Sequence, residues 1–163
     1  MAHPGGEDSV TRILANRWLS ILIRAVLGAV FIYSGWTKLG DPPGFAHAIW
    51  NYRLLPATVI NLVALFIPWL ELLAGAALVI GICRRGAAAI VAALLAVFIV
   101  ALAVNLVRDN PVDCGCFSLA TAGKGHDELI RAMKFDILRD IGLLLLCVQA
   151  LLAPVTWRNP ASD

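Results

Sequence analysis

Two cysteines separated by a single residue are the side chains of this sequence best suited to covalent chemistry. Cys114 and Cys116 flank Gly115 in a loop that follows a long apolar run. Glycine gives the backbone the freedom that a small disulfide ring requires. A disulfide across one intervening residue is strained, and strained disulfides are the labile, reducible kind. Asp113 beside the pair disfavours a thiolate, whereas Arg108 would favour one. The spacing therefore favours redox chemistry.

Two other interpretations of the cysteine pair remain open. One is a fixed staple of the loop, although a bond between near neighbours closes a short ring and stabilises little. The other is a soft-metal site completed by Asp113 and His126. Because that spacing matches no common zinc pattern, we predict no metal.

The remaining cysteines, Cys83 and Cys147, are predicted to be small buried apolar side chains. Cys83 ends the second apolar segment, across the bilayer from the pair, and Cys147 falls in the middle of the fourth. A disulfide needs Cα atoms within about 7 Å of each other. Neither cysteine is therefore expected to pair with Cys114 or Cys116.

Glu71 is a carboxylate in the middle of an apolar segment. A lone charge at the bilayer centre costs at least about 2.5 kcal/mol, so it must be neutral, paired or in contact with water. We predict Arg24 as its partner, because the two lie at similar depths if the first two spans are antiparallel neighbours. The pair is interpreted as a structural pin between helices, with a proton relay as the alternative.

The elements that position these residues are predicted to be membrane helices. Hydrophobic residues make up 60% of the 163, against about half in a soluble domain, and the mean hydropathy is +0.82. About 20 apolar residues cross a bilayer as a helix, and four segments qualify, at about 18–39, 57–83, 86–107 and 137–153. Without strand alternation in these runs, we predict an all-α integral membrane four-helix bundle that forms one domain over residues 1–163.

The predicted topology places both termini on one side of the membrane. The Arg84–Arg85 pair occupies a very short loop, which favours cytoplasmic termini and a periplasmic cysteine loop, although a bare count of basic residues, with Lys38 on the outer side, leans the other way. The first apolar run is too long for a signal peptide and lacks a clear cleavage site, so we expect an uncleaved span. A net charge of +2 without basic clusters gives no support for nucleic-acid binding.

A short helix is predicted between the first two spans. Asp41 is a suitable N-cap, and two prolines follow it in the first turn. Phe45, Ile49 and Tyr52 then fall on one face, as in a helix that lies at the headgroup level.

An ordered set of short motifs extends over nearly all of the chain from Arg24 to about Leu146. In chain order the motifs are Arg24 with Gly28, Phe31, Ser34-Gly35-Trp36-Thr37-Lys38-Leu39, Asp41-Pro42, Phe45-Ala46, Tyr52-Arg53-Leu54-Leu55-Pro56, Pro68-Trp69-Leu70-Glu71, Gly75, Asn105-Leu106-Val107-Arg108, Asp113-Cys114-Gly115-Cys116-Phe117 and Arg139. This set resembles the MauE-like membrane proteins of methylamine utilisation, within the wider DoxX-related group. The chain departs from the family pattern at Ser118, where a glycine is usual, and in the insert Thr121 to His126.

The resemblance implies a four-span protein of the bacterial inner membrane that acts in disulfide formation or electron transfer from thiols. It further implies a thioredoxin-like or other periplasmic thiol protein as partner, besides the membrane lipid. Our first hypothesis is a redox component, and if an enzyme then a thiol–disulfide oxidoreductase, that passes electrons from Cys114 and Cys116 to a membrane acceptor such as quinone. The alternative is a non-enzymatic structural or assembly subunit of a larger membrane complex, in which the pair is a staple.

Overall fold

The structure, a computed structural model, describes residues 17–112 and 125–152. Helices account for nearly all of these residues, and the described part contains no strand, which confirms the predicted all-α class. In chain order the helices are α1 Arg17–Gly40, α2 Pro42–Asn51, α3 Ala57–Ile80, α4 Arg84–Val107 and α5 His126–Leu152. The four long helices form the bundle, and α2 is the short helix predicted between the first two spans.

Three helices of the described residues are long and apolar enough to cross a membrane: α1 from Trp18 onward, α3 and α4. Large apolar side chains cover the outside of the bundle. Trp36 is 70% exposed, Leu73 61% and Val100 61%. Such a surface is unusual for a monomer in water but is what a bilayer requires. The chain is therefore a multi-pass membrane protein. A fourth crossing by α5 stays a prediction, because Arg139 and Asp140 interrupt its apolar run.

Close contact between backbones holds α1 against α3. Three glycines lie at this contact, and in each case a methyl group would meet backbone of the other helix. At Gly28 it would lie 2.7 Å from the Gly75 carbonyl oxygen, and at Gly35 2.7 Å from the Pro68 carbonyl oxygen. At Gly75 it would lie 2.8 Å from the Gly28 carbonyl oxygen. Small residues at a membrane helix interface allow this approach, and the van der Waals contacts that it creates replace the hydrophobic effect that lipid does not supply.

The turn between α3 and α4 is tight and exposed. Gly81 ends α3 with a φ of 87°, a left-handed conformation that favours glycine. Cys83 precedes α4 with a φ of 47° and is exposed, so the prediction that it is buried was wrong. The reason is local, because the left-handed Gly81 ends the helix before Cys83 and leaves the cysteine in the turn. Cys147, in contrast, is fully buried in the core as predicted.

The short helix α2 forms as its sequence predicts. The Asp41 carboxylate accepts a hydrogen bond of 3.0 Å from the Gly44 backbone N–H, which caps the first turn. Phe45 and Tyr52 are buried, and α2 packs against α3. Together these contacts fold α2 back over the end of α1.

Candidate functional site

A buried ion pair joins α1 to α3. Lys38 Nζ lies 2.5 Å from Glu71 Oε1, and both side chains are essentially inaccessible to solvent. Ser34 Oγ donates a further hydrogen bond of 3.3 Å to Glu71 Oε2. The ammonium group also lies 4.9 Å from the centre of the Phe45 ring and 4.7 Å from that of Phe98, within the range of cation–π attraction. Lys38 is thereby fixed by α2, α3 and α4 together.

The predicted partner of Glu71 was wrong: the carboxylate binds Lys38, and Arg24 lies elsewhere. Arg24 Nε donates to the Ser20 carbonyl oxygen at 3.2 Å, and its guanidinium lies near Gly81 at the end of α3. Ser34, level with Glu71, is ten residues further along α1, or about 15 Å at 1.5 Å per residue. Arg24 is therefore about three turns too far from the carboxylate to pair with it.

A second group of charged side chains lies on α5. Arg139 Nη1 lies 2.9 Å from Asp136 Oδ1, and Arg139 Nη2 lies 2.8 Å from Asp140 Oδ1, with Nε of the same arginine at 3.0 Å. The other oxygen of Asp140, Oδ2, is buried and has no hydrogen-bond partner among the described residues. In the sequence, Arg139 belongs to the family pattern, and no partner was predicted for it. The acidic residues three positions before it and one position after it were the signal available.

The two charged groups share a small cavity of about 20 Å³. Ser34, Glu71, Arg139 and Asp140 line it together with apolar side chains of α1, α4 and α5. The structure thus places carboxylates from α3 and α5 around one small, partly open cavity. An interior charged group of this kind in a membrane protein is by default a functional candidate.

The cysteine pair itself lies outside the described residues. Asp113, Cys114, Gly115 and Cys116 all fall in the segment 113–124, whereas Arg108 is described, as an exposed residue that ends α4. Among the described residues no group of three His, Cys, Asp or Glu side chains could hold a metal.

Hydrogen bonds fix the chain just before the cysteine segment. Asn110 Nδ2 donates to Asn105 Oδ1 at 2.7 Å and to the Asn51 carbonyl oxygen at 3.0 Å, which ties the end of α4 to α2. The Val112 backbone N–H donates to Met133 Sδ at 3.3 Å, which ties the same segment of the chain to α5. The entry to the segment is therefore held on the bundle end that carries α2.

The start of α5, which follows the segment, lies beside residues that precede the segment. His126 Nε2, at the start of α5, lies 3.2 Å from Asp109 Oδ1, and both side chains are largely exposed. The described residues on either side of the segment 113–124 therefore lie close together at one end of the bundle.

Loss of the Asn110 side chain is expected to loosen this entry. Asn110→Ala removes both side-chain hydrogen bonds and leaves the buried Asn105 amide oxygen without that donor, at a cost of about 1–3 kcal/mol. Cleavage by trypsin after Arg108 in detergent-solubilised protein should accelerate about tenfold if it follows local opening. Asn61→Ala, at an exposed asparagine of α3, is the matched control. Equal cleavage rates in the two variants would show that Asn110 does not hold the loop.

A larger apolar cavity, of about 160 Å³, lies beneath α2. Phe45, Ile49 and Tyr52 of α2 line it, with Phe98 and Ala101 of α4 and residues of α3. No polar atom contributes to its surface. The walls suit an apolar chain or ring face, and no hydrogen-bond donor of the described residues faces the cavity to meet the carbonyl oxygens of a quinone. The residues present therefore do not fit a quinone head group.

Comparisons with known proteins identify relatives of this chain. A family described as "Methylamine utilisation protein MauE" matches residues 16–153. A protein named methylamine utilization protein MauE from Methylophilus methylotrophus is 33% identical over 84% of this chain and 67% of its own length. Proteins of the same name are 36% identical in Paracoccus denitrificans, over 58% of this chain and 52% of the relative, and 40% identical in Paracoccus versutus, over 65% and 58%.

These alignments span about half to two thirds of the relatives' own length. No solved structure shows significant similarity to the chain.

Proposed function

The chain belongs to the MauE family of methylamine utilisation proteins, and on that premise we propose that it is a membrane component of thiol–disulfide exchange. Cys114 and Cys116 are the redox pair of this proposal. The spacing of the two cysteines carries it, because it holds the two sulfurs together in a ring that is strained and easily reduced. In this proposal Gly115 permits the small ring, while Arg108 and Asp113 act in opposite directions on the thiolate.

The positions of the other two cysteines support this assignment. Cys83 and the cysteine loop lie at opposite ends of α4, whose 24 residues correspond to about 36 Å. Cys147 is fully buried in the core. The separation of Cys83 from the loop far exceeds the reach of a disulfide, and burial in the core withholds the Cys147 thiol from exchange. Cys114 and Cys116 are therefore each other's partners in the proposed cycle.

The proposed reaction is the oxidation of a dithiol on a periplasmic protein. A thiolate of the thioredoxin-like or other partner attacks the Cys114–Cys116 disulfide and forms a mixed disulfide with one cysteine, while the other leaves as a thiolate. The partner's second thiol then resolves the mixed disulfide. The partner gains a disulfide, and the pair is left as two thiols that hold two electrons and two protons. A two-electron acceptor in the membrane must remove these.

Quinone is the membrane acceptor that we propose. The apolar cavity beneath α2 offers no donor to a quinone head group, so we assign no step to it there. We place the protein in the bacterial inner membrane with four spans. The Arg84–Arg85 turn lies on the cytoplasmic side and the cysteine loop in the periplasm, because a short basic loop is retained inside.

Single serine substitutions test the redox pair. Cys116→Ser and Cys114→Ser each remove one thiol of the pair, so neither variant can form the disulfide that a partner thiolate attacks, and the partner should accumulate as the dithiol. Dithiol oxidation should be lost in both. The measurement is thiol trapping in native membranes, followed by non-reducing electrophoresis, which reports whether periplasmic thiol proteins are in the dithiol or the disulfide form. Cys83→Ser and Cys147→Ser are the controls and should retain activity.

The alternative is a structural or assembly subunit of a larger membrane complex, with the pair as a staple. In that case the disulfide resists mild reductant until the bundle is denatured, and neither serine variant at the pair changes any redox phenotype. That combination would overturn the proposed function.

A further inference from the structure

We infer that the cavity between α1, α3 and α5 holds one water molecule, which bridges Asp140 and Glu71 and carries a proton between them. The cavity measures about 20 Å³, and a space of about 10–15 Å³ by this measure holds one water if two to four polar groups face it. Ser34, Glu71, Arg139 and Asp140 supply those groups.

One carboxylate oxygen of Asp140 lacks a hydrogen-bond partner among the described residues, which also supports a water in the cavity. The Asp140 side chain is only 3% exposed, and Oδ2 has no hydrogen-bond partner among the described residues, while Oδ1 accepts from Arg139. A buried polar atom without a partner costs about 1–3 kcal/mol. Such atoms in native structures generally indicate an unplaced water or ion, or a functional role. A water in the adjoining cavity supplies the missing partner.

The charges around the cavity leave room for one proton. The charged groups acting on Asp140 are Arg139, Asp136 and Lys38, and Glu71 completes the set through its pair with Lys38. α4 contributes only Leu95 and Phe98 to the lining, and neither carries a charge. Among the described residues, three carboxylates therefore lie near two cations, and one bound proton makes this set of groups neutral.

The hydrogen bonds decide where that proton rests. Glu71 is bonded through Oε1 to the Lys38 ammonium group and through Oε2 to the Ser34 hydroxyl, both of which stabilise its anion. Asp140 Oδ2 has neither kind of partner. The proton therefore rests on Asp140 Oδ2 and donates to the water.

Transfer moves one proton and no electrons. The water accepts the proton from Asp140 Oδ2 and donates one of its own to Glu71 Oε2, which leaves Asp140 ionised and Glu71 neutral. Lys38 then remains between the Phe45 and Phe98 rings, which hold its charge without the carboxylate. The purpose that we assign to the relay rests on the proposed function, because oxidation of two thiols releases two protons that must be moved.

Infrared spectroscopy of the whole protein in lipid nanodiscs tests the resting proton without any thiol turnover. At neutral pH we expect a carbonyl band from a buried carboxylic acid. The band should shift when the aspartates carry ¹³C in their carboxyl groups, and it should be lost in Asp140→Asn. Asp109→Asn, at an exposed aspartate, is the control and should keep it. Because the isotope experiment uses the unaltered sequence, the proposal stays testable even if Asp140→Asn fails to fold.

The water is tested separately by exchange into H₂¹⁸O. An O–H band of a buried water should shift in the unaltered protein and be missing in Val30→Leu, which adds a methylene group to the cavity wall. Absence of a protonated aspartate at neutral pH would overturn the inference, and so would a water band that survives Val30→Leu. The same spectra from Cys114→Ser should match those of the unaltered protein. A failed redox role therefore leaves this result intact, and the two failures can be told apart.

Discussion

Replacement of Lys38 by methionine is expected to destabilise the bundle by about 3–5 kcal/mol. The substitution keeps most of the apolar stem but removes the ammonium group and leaves Glu71 buried without its cation. Removal of one partner from a buried ion pair typically costs this much, because the remaining charge has lost its solvation and its partner together. Unfolding of purified protein in mixed micelles, followed by helicity as the fraction of denaturing detergent rises, measures the difference.

The double substitution separates the pair from a general loss of packing. Lys38→Met with Glu71→Met removes both charges, and since apolar replacements of a buried pair are often neutral, we expect most of the stability to return. The coupling energy between the two sites should exceed about 1 kcal/mol. Arg24→Met is the matched control, because it also replaces a basic residue of α1. Arg24→Met and Glu71→Met should act additively. Additive losses at Lys38 and Glu71 instead would contradict the observed pairing.

The partner of Glu71 also shows which features of the structure can be predicted from the sequence and which cannot. The apolar length of each helix is local information, and so is the Asp41 cap of α2. The relative depth of two packed helices is not determined by local sequence. The 16 or so residues between α1 and α3 form α2 and a turn, and that connection permits several registers. A difference of fourteen residues along α1 separates the predicted partner Arg24 from the observed partner Lys38.

Lys38 lies at the end of the first predicted span and was assigned from the sequence to the outer side of the membrane. The structure buries it, since α1 continues to Gly40 and α2 folds back to place Phe45 against the ammonium group. Asp140 illustrates a related limit. Its proximity to Arg139 follows from the chain, but its position beside Glu71 depends on how α5 packs against α1 and α3. For Cys114 and Cys116 the spacing alone predicts mutual proximity, and their geometry lies outside the described residues.

A single methyl group at the contact of α1 with α3 is expected to separate the two helices. Gly28→Ala, Gly35→Ala and Gly75→Ala each place a carbon atom within 3.0 Å of a backbone oxygen of the other helix, where real Cβ atoms are essentially never found. Backbone atoms cannot rotate away as a side chain can, so the helices must shift and lose contacts along their length. We expect a loss of about 1–3 kcal/mol for each variant, the usual cost of overpacking.

The same chemical change elsewhere in the bundle provides the control. Gly86 in α4 and Gly142 in α5 have open space where a methyl group would go. Alanine also favours a helix over glycine by up to about 1 kcal/mol. Gly86→Ala and Gly142→Ala should therefore be neutral or slightly stabilising in the same micelle unfolding measurement. If the α1 and α3 variants were equally well tolerated, the two helices could not pack as closely as the structure places them. The Lys38–Glu71 pair depends on that packing, since one residue of the pair lies on each helix.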